Sequence, residues 1–212
     1  MFNQVHKVLI LAPHPDDAEF GLGGTISKLI EEGKEIHIAV FSDCKESTPK
    51  GFEIGSIKKE LYESCGFLGV PAENIHMMDF QVRHFPALRQ EILESLVVLR
   101  NELKPDLVFV PSSSDIHQDH KTIYEEGIRA FKFGCLLGYE MPWNNFGFTS
   151  FVFVNLKPAH LQKKIDAINH YESQKNRTYS SPEFITSLAV IRGRQIQKEY
   201  AESFELIRFT NY

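Results

Sequence analysis

Val8-Leu9-Ile10-Leu11-Ala12-Pro13-His14-Pro15-Asp16-Asp17 is the stretch whose reading decides the fold. Its five leading apolar residues are too few to span a membrane and read as a strand buried on both faces. Two prolines, one imidazole and two carboxylates follow at once. Pro13 and Pro15 fix φ at their own positions, and each pushes the residue before it toward an extended conformation. With Pro15 as the first helical residue, His14 takes the N-cap place and Asp17 the third helical position. Side chains at those positions meet, as in a capping box, while Asp16 points to another side of the turn. An imidazole and a carboxylate converging on one point make half of a metal site.

The other half lies about a hundred residues on. Pro105-Asp106-Leu107-Val108-Phe109-Val110-Pro111 is a second short apolar strand, and Ser112-Ser113-Ser114-Asp115-Ile116-His117-Gln118-Asp119-His120 follows it. His117 and His120, three apart, share one face of a turn or helix start. Zinc favours imidazole and carboxylate ligands, with three protein groups and one open position where the site is catalytic. Each cluster directly follows a buried strand. In an open α/β sheet, ligands bind outside the carboxyl ends of the strands.

Around these two strands the chain alternates. A strand is expected at 7–12, a helix at 25–33, a strand at 35–42 and a polar loop, a lid or a disordered segment, at 43–56. A helix at 57–68, a strand at 75–78, a helix at 87–103, a strand at 106–110 and a helix at 119–133 follow. That succession predicts an α/β fold: a three-layer, Rossmann-like, mostly parallel sheet with helices on both faces. Strand order 3-2-1-4 makes the first and fourth strands neighbours and brings the two clusters together. A C-terminal extension follows, with an aromatic, amide-rich loop at 138–147, a strand at 151–156, helices at 159–171 and 182–203, and a closing strand at 205–209. A single domain over 1–212 is expected.

The net charge is −5, from 23 basic and 28 acidic residues, which argues against nucleic acid as a partner. No apolar run approaches the roughly 18–20 residues of a membrane span, and no signal peptide is evident. Cys44, Cys65 and Cys135 are widely spaced and suit reduced thiols in the cytoplasm. Gly21-Leu22-Gly23-Gly24 hints at a dinucleotide loop. Ile26 breaks the G-x-G-x-x-G pattern, however, and the glycines begin nine residues beyond the strand.

The two clusters resemble the LmbE-like (PIG-L) family of zinc-dependent N-deacetylases. The matching residues are Pro13-His14-Pro15-Asp16-Asp17 with Gly23-Gly24, then His117-Gln118-Asp119-His120, and further on Tyr200-Ala201-Glu202-Ser203-Phe204. The resemblance implies that His14, Asp17 and His120 hold the metal, expected to be Zn2+ with Fe2+ as the alternative. It also implies Asp16 as general base and His117 over the reacting carbonyl. The activity implied is hydrolysis of an N-acetyl group on an N-acetylglucosamine-type sugar or conjugate. The alternatives are a non-catalytic metal-binding module and, disfavoured by the broken glycine pattern, a nucleotide-dependent oxidoreductase on the same sheet. Asp119, two residues from His117, is expected to pair with that imidazole and favour its charged form.

The chain departs from the family in two places near the substrate. Ile57 stands where many members carry arginine, and Asp79-Phe80-Gln81-Val82-Arg83 stands where many carry D-G-x-x. Arg83 is a candidate to hold a phosphate or carboxylate on the substrate, the alternative being a surface ion pair. Trp143 is a candidate to stack on a sugar ring and Asn144 to bond its hydroxyls, the alternative being an aromatic loop packed on the domain. Homo-oligomerisation is left open.

Overall fold

The computed structural model describes residues 4–210. Strand β1 (Lys7–Ala12) lies in the interior of a seven-stranded sheet, where Val8, Leu9, Ile10, Leu11 and Ala12 are apolar on both faces and all but inaccessible. Successive residues point to opposite sides. Val8, Ile10 and Ala12 join one cluster, with Leu22, Ile26 and Leu29 of helix α1 (Asp17–Glu31) and with helix α5 (Pro158–Ile168). Leu9 and Leu11 join another, with Ile92, Leu96 and Leu99 of helix α3 (Arg89–Leu103) and Ile123 of helix α4 (Gln118–Ala130).

Strands β2 (Glu35–Val40) and β4 (Leu107–Pro111) flank β1 in parallel, β3 (Ile75–Met77) lies beyond β2, and β5 (Cys135–Tyr139) lies beyond β4. The order 3-2-1-4 is as expected, and the carboxyl ends of β1 and β4 stand side by side. Strand β7 (Tyr200–Arg208) runs antiparallel between β5 and β6 (Val152–Leu156) and closes the far side. Helices α2 (Ser56–Leu68) and α6 (Pro182–Gln195) complete the layers. Among the described residues no helix is long and apolar enough to cross a membrane.

Four local expectations need correction. The first helix begins at Asp17 rather than near residue 25, so the glycines lie inside it. The segment 135–139 is a strand, so only part of 138–147 is loop. The last helix ends at Gln195, and Tyr200–Phe204 belongs to β7 rather than to that helix. The N-cap of α1 is Asp16, in the left-handed conformation with φ 83°, and not His14. The expected contact survives this shift, since the His14 backbone N–H donates to Asp17 Oδ2 at 2.8 Å.

The glycines explain how α1 packs so closely. A Cβ at Gly21 would sit 2.5 Å from Cδ2 of the Tyr139 ring, and one at Gly24 would sit 2.5 Å from Leu156 Cδ1. The glycines therefore serve packing against side chains, and no dinucleotide turn is present at the end of β1. Leu22 leaves helical geometry with φ −152°, and the break frees donors and acceptors in the core. Glu202 of β7 accepts from the N–H groups of Gly24 (3.1 Å) and Thr25 (2.6 Å), acting as a cap for the second half of the helix. Lys164 of α5 donates to the Phe20 carbonyl (2.6 Å) and to Glu202 (2.7 Å). Each charge of this buried pair thus has a second partner. Gly21→Ala is expected to cost about 1–3 kcal/mol by overpacking, read as a lower denaturation midpoint; an unchanged midpoint would mean that the Tyr139 ring yields freely.

Candidate metal and catalytic site

Both clusters are helix starts built directly after neighbouring strands. Beyond β4, Asp115 Oδ1 accepts from the His117 N–H (2.8 Å) and forms the turn, an Asx-type bond. His117 then caps α4, its Nδ1 accepting the Asp119 N–H at 3.1 Å. Beyond β1, the proline-stiffened chain delivers His14 and Asp17 to the same point.

Three atoms meet there. His14 Nδ1 and Asp17 Oδ2 lie 3.3 Å apart, Asp17 Oδ2 and His120 Nε2 3.3 Å, and His120 Nε2 and His14 Nδ1 3.3 Å. A tetrahedron whose corners lie about 2.0–2.1 Å from its centre, as zinc's N and O ligands do, has an edge of about 3.3–3.4 Å. The three donors fit one face of such a figure. The remaining imidazole nitrogens reinforce the fit: His14 Nε2 faces Asp119 Oδ2 (3.0 Å), and His120 Nδ1 faces Asp115 Oδ2 (2.8 Å). A carboxylate behind each ring fixes its orientation and raises its basicity, the usual outer arrangement of a histidine metal ligand. Asp119 therefore backs His14; among the described residues its carboxylate makes no hydrogen bond to the His117 ring, although its charge still favours the protonated form of that ring. The backbone N–H groups of Arg83 (2.6 Å) and Phe85 (3.3 Å) complete its hydrogen bonding.

The charges follow from this crowding. Burial works against a charged His120, yet the Asp17 and Asp115 carboxylates outweigh it and lift its pKa to about 10. Burial likewise opposes an ionised Asp17, but His120 and His14 hold it well below the usual carboxylate range. His117 moves the other way: burial, then the neighbouring His120 and His14, push it down to about 4. A neutral His117 whose Nδ1 accepts a hydrogen bond carries its proton on Nε2.

Asp16 stands beside the trio. Burial, then the Asp17 charge, raises its carboxyl well above the ordinary value. Its backbone N–H donates to Tyr171 Oη (3.0 Å), which itself donates to the buried Glu19 (2.9 Å), so the left-handed turn is held from behind. Among the described residues, none hydrogen-bonds the Asp16 carboxylate.

These groups open on a cavity of about 380 Å3, lined also by Cys44, Ile57, Arg83, Trp143, Asn144 and Arg177. Trp143 stacks on Tyr179 with ring centres 3.9 Å apart and meets Phe20 edge-on, so one of its faces is already covered. Asn144 Nδ2 reaches Asp115 Oδ2 at 3.4 Å. All nine residues singled out from sequence thus lie at the site, with Asp119 behind it. Sequence reasoning missed Asp115, Tyr171 and Arg177. For Asp115 a signal existed: an aspartate two before the first histidine and five before the second suits both the turn and the His120 contact. Nothing local marked the other two. Asp115→Asn is expected to weaken metal affinity about 10–100-fold, measured by competition with a chelator; unchanged affinity would make Asp115 a turn former only.

Comparisons agree with the geometry. Over 143 residues the chain is 35% identical to the diacetylchitobiose deacetylase of Thermococcus kodakarensis, a stretch that is 64% of this chain and 52% of that protein. It therefore spans about half the length of that relative. The N,N'-diacetylchitobiose deacetylase of Pyrococcus horikoshii, solved with an inhibitor, superposes with a TM-score of 0.82 at 25% identity, over 97% of this chain and 85% of that one. GalB, the 4-carboxy-2-hydroxymuconate hydratase of Pseudomonas putida KT2440, shares the fold alone, with a TM-score of 0.79 at 18% identity over 98% and 99% of the two chains. The profile of the PIG-L family, described as GlcNAc-PI de-N-acetylase, matches residues 9–131, and the chain belongs to that family.

Proposed function

We propose that this protein is a metal-dependent hydrolase that removes the acetyl group from an N-acetylglucosamine-type sugar or sugar conjugate, with Zn2+ as its ion. The observation that carries the reading is the triangle of donors at 3.3 Å, opening on a cavity beside a buried Asp16 whose carboxylate accepts no hydrogen bond among the described residues. His14, Asp17 and His120 would hold the cation. When bound, a divalent ion supplies Lewis acidity to water and to the amide carbonyl.

The chain's own residues account for the proton movements. Asp16 accepts a proton from the attacking water as the new C–O bond forms. The same burial that raises its pKa keeps that proton on the carboxyl until the C–N bond breaks. Asp16 then returns it to the departing nitrogen, leaving acetate and a free amine. His117 donates its Nε2 proton as a hydrogen bond to the oxygen that becomes negative, and does so as a neutral ring. Asp119 keeps His14 oriented, and Asp115 does the same for His120. Trp143 and Asn144 are proposed as the wall against which the sugar lies. The cysteines are unpaired, which suits a reducing compartment, and we place the protein in the cytosol.

The test is acetate release from N-acetylglucosamine and diacetylchitobiose by the metal-loaded protein, with the freed amine measured in parallel. Equal amounts of both, abolished by a chelator and restored by Zn2+, are expected. Tight metal binding without hydrolysis of any acetamide would favour the non-catalytic module instead.

A further inference from the structure

Gln174 lines the cavity with only 6% of its surface exposed, and no step of the proposed reaction uses it. Its amide has a fixed orientation, which follows from the direction of the hydrogen bonds behind it. Glu60 of α2 accepts from the Ser173 N–H at 3.0 Å and from the Ser173 hydroxyl. A carboxylate only accepts, so the Ser173 proton is committed to Glu60 and Ser173 Oγ keeps its lone pairs. The Gln174 atom 3.1 Å from that Oγ is therefore the donor, Nε2. Oε1 lies on the opposite branch of the amide and accepts no hydrogen bond among the described residues.

This oxygen is not sealed in the core. The side-chain atoms both inaccessible and unpaired among the described residues are Glu19 Oε2, Thr25 Oγ1, Ser56 Oγ and Ser203 Oγ. Gln174 Oε1 is open, and the cavity is the space that Gln174 lines. The turn that carries it is held on both sides: the Gln174 N–H donates to the Tyr171 carbonyl and the Arg177 N–H to the Gln174 carbonyl, each at 3.0 Å. Arg177 reaches the same cavity, its Nη1 donating to the Tyr179 hydroxyl. Burial opposes the charge of Arg177, and the Asp16 carboxylate, Tyr179 and Asp17 sustain it, so the protein itself supplies the counter-charge. The remaining N–H groups of that guanidinium suit a neutral oxygen. An acceptor and a donor from one turn match a hydroxyl, which gives one hydrogen bond and takes another. An acetamide N–H only gives, and an ether oxygen only takes.

We propose that Gln174 is a specificity-determining residue for the sugar: its Oε1 accepts from one hydroxyl of the substrate, and Arg177 donates to the same hydroxyl. This rests on the hydrolase reading above, and the experiment separates the two. Metal-loaded protein is given the methyl glycoside of N-acetylglucosamine and its 3-deoxy, 4-deoxy and 6-deoxy forms, each lacking one hydroxyl. One deoxy compound is expected to have a kcat/KM about tenfold below that of the full sugar, because it leaves the buried oxygen unpaired. In Gln174→Met, which keeps the length of the side chain and removes the acceptor, that ratio is expected to shrink to near one. Ser173→Ala keeps the glutamine but frees its amide to turn, and is expected to cut the ratio about threefold. It carries the test if Gln174→Met does not fold. Equal turnover of all four compounds by the wild type, or a ratio unchanged in every folded variant, overturns the assignment.

Binding of the same four compounds is followed in parallel by fluorescence of Trp143, the one tryptophan of the chain, which lines the cavity. Weaker binding of one deoxy compound, lost in the variants and seen without hydrolysis of any of the four, keeps the assignment and ends the hydrolase reading. Equal binding of all four without turnover ends both.

Discussion

His120→Ala is expected to abolish metal binding and, with it, turnover. The imidazole supplies one of three donors, and its Nε2 stands 3.3 Å from each of the other two. Loss of an outer partner alone typically weakens a site about 10–100-fold, so loss of a direct donor is expected to exceed that. Activity should fall about 10³-fold or more, since each tenfold corresponds to about 1.4 kcal/mol of barrier and a metal supplies several. The substitution also takes the His120 ring from Asp115 Oδ2, leaving that buried oxygen only the longer bond from Asn144 Nδ2 at 3.4 Å. Metal content must therefore be measured per folded molecule, with folding checked by circular dichroism. A folded variant that retains one equivalent of metal and full activity would remove His120 from the site. His117→Ala makes the contrast: metal is expected to stay while kcat drops about 10²–10³-fold, the usual cost of an oxyanion donor.

Asp16→Asn should leave metal and fold intact and remove the base. Asparagine is nearly the same shape and tolerates the left-handed backbone that Asp16 adopts. Among the described residues no hydrogen bond depends on the carboxylate, so none is lost. What disappears is the ability to take a proton, worth about 10²–10⁴ in rate for general acid–base catalysis. The loss is expected in kcat with KM little changed, because the amide occupies the same place in the cavity. Equal loss in Asp16→Asn and in a metal-stripped sample, with metal absent from both, would show that Asp16 holds the ion rather than the proton.

Much of this was legible in sequence because it depends on short-range chemistry. An apolar run followed by Pro-His-Pro-Asp-Asp specifies a buried strand, a stiff exit and converging side chains, and the β-α alternation places that exit beside the His117/His120 turn. Prolines at 13 and 15 concealed one detail: φ at Asp16 is positive, so the cap falls two residues later than the Pro-at-N1 pattern suggests. The start of the helix was obscured by glycine's poor intrinsic helix propensity, which close packing against Tyr139 and Leu156 overrides. Strand β5, Cys135-Leu-Leu-Gly-Tyr139, was lost between a helix end and an aromatic loop because five residues carry little periodicity. Tyr171, Arg177 and Asp119's true partner are long-range facts. The His14–Asp119 contact joins residues 105 apart, and only the completed sheet brings them together.

The break in α1 gives the last strand an influence on the first helix. Glu202 holds two amide protons of Gly24 and Thr25 from 178 and 177 residues away, and α1 begins at the very aspartate whose oxygen enters the donor triangle. During synthesis on the ribosome, water alone can accept from those amides until β7 has emerged. A chain cut short before β7 would keep His14, Asp17 and His120 and yet lack the carboxylate that caps the second half of α1.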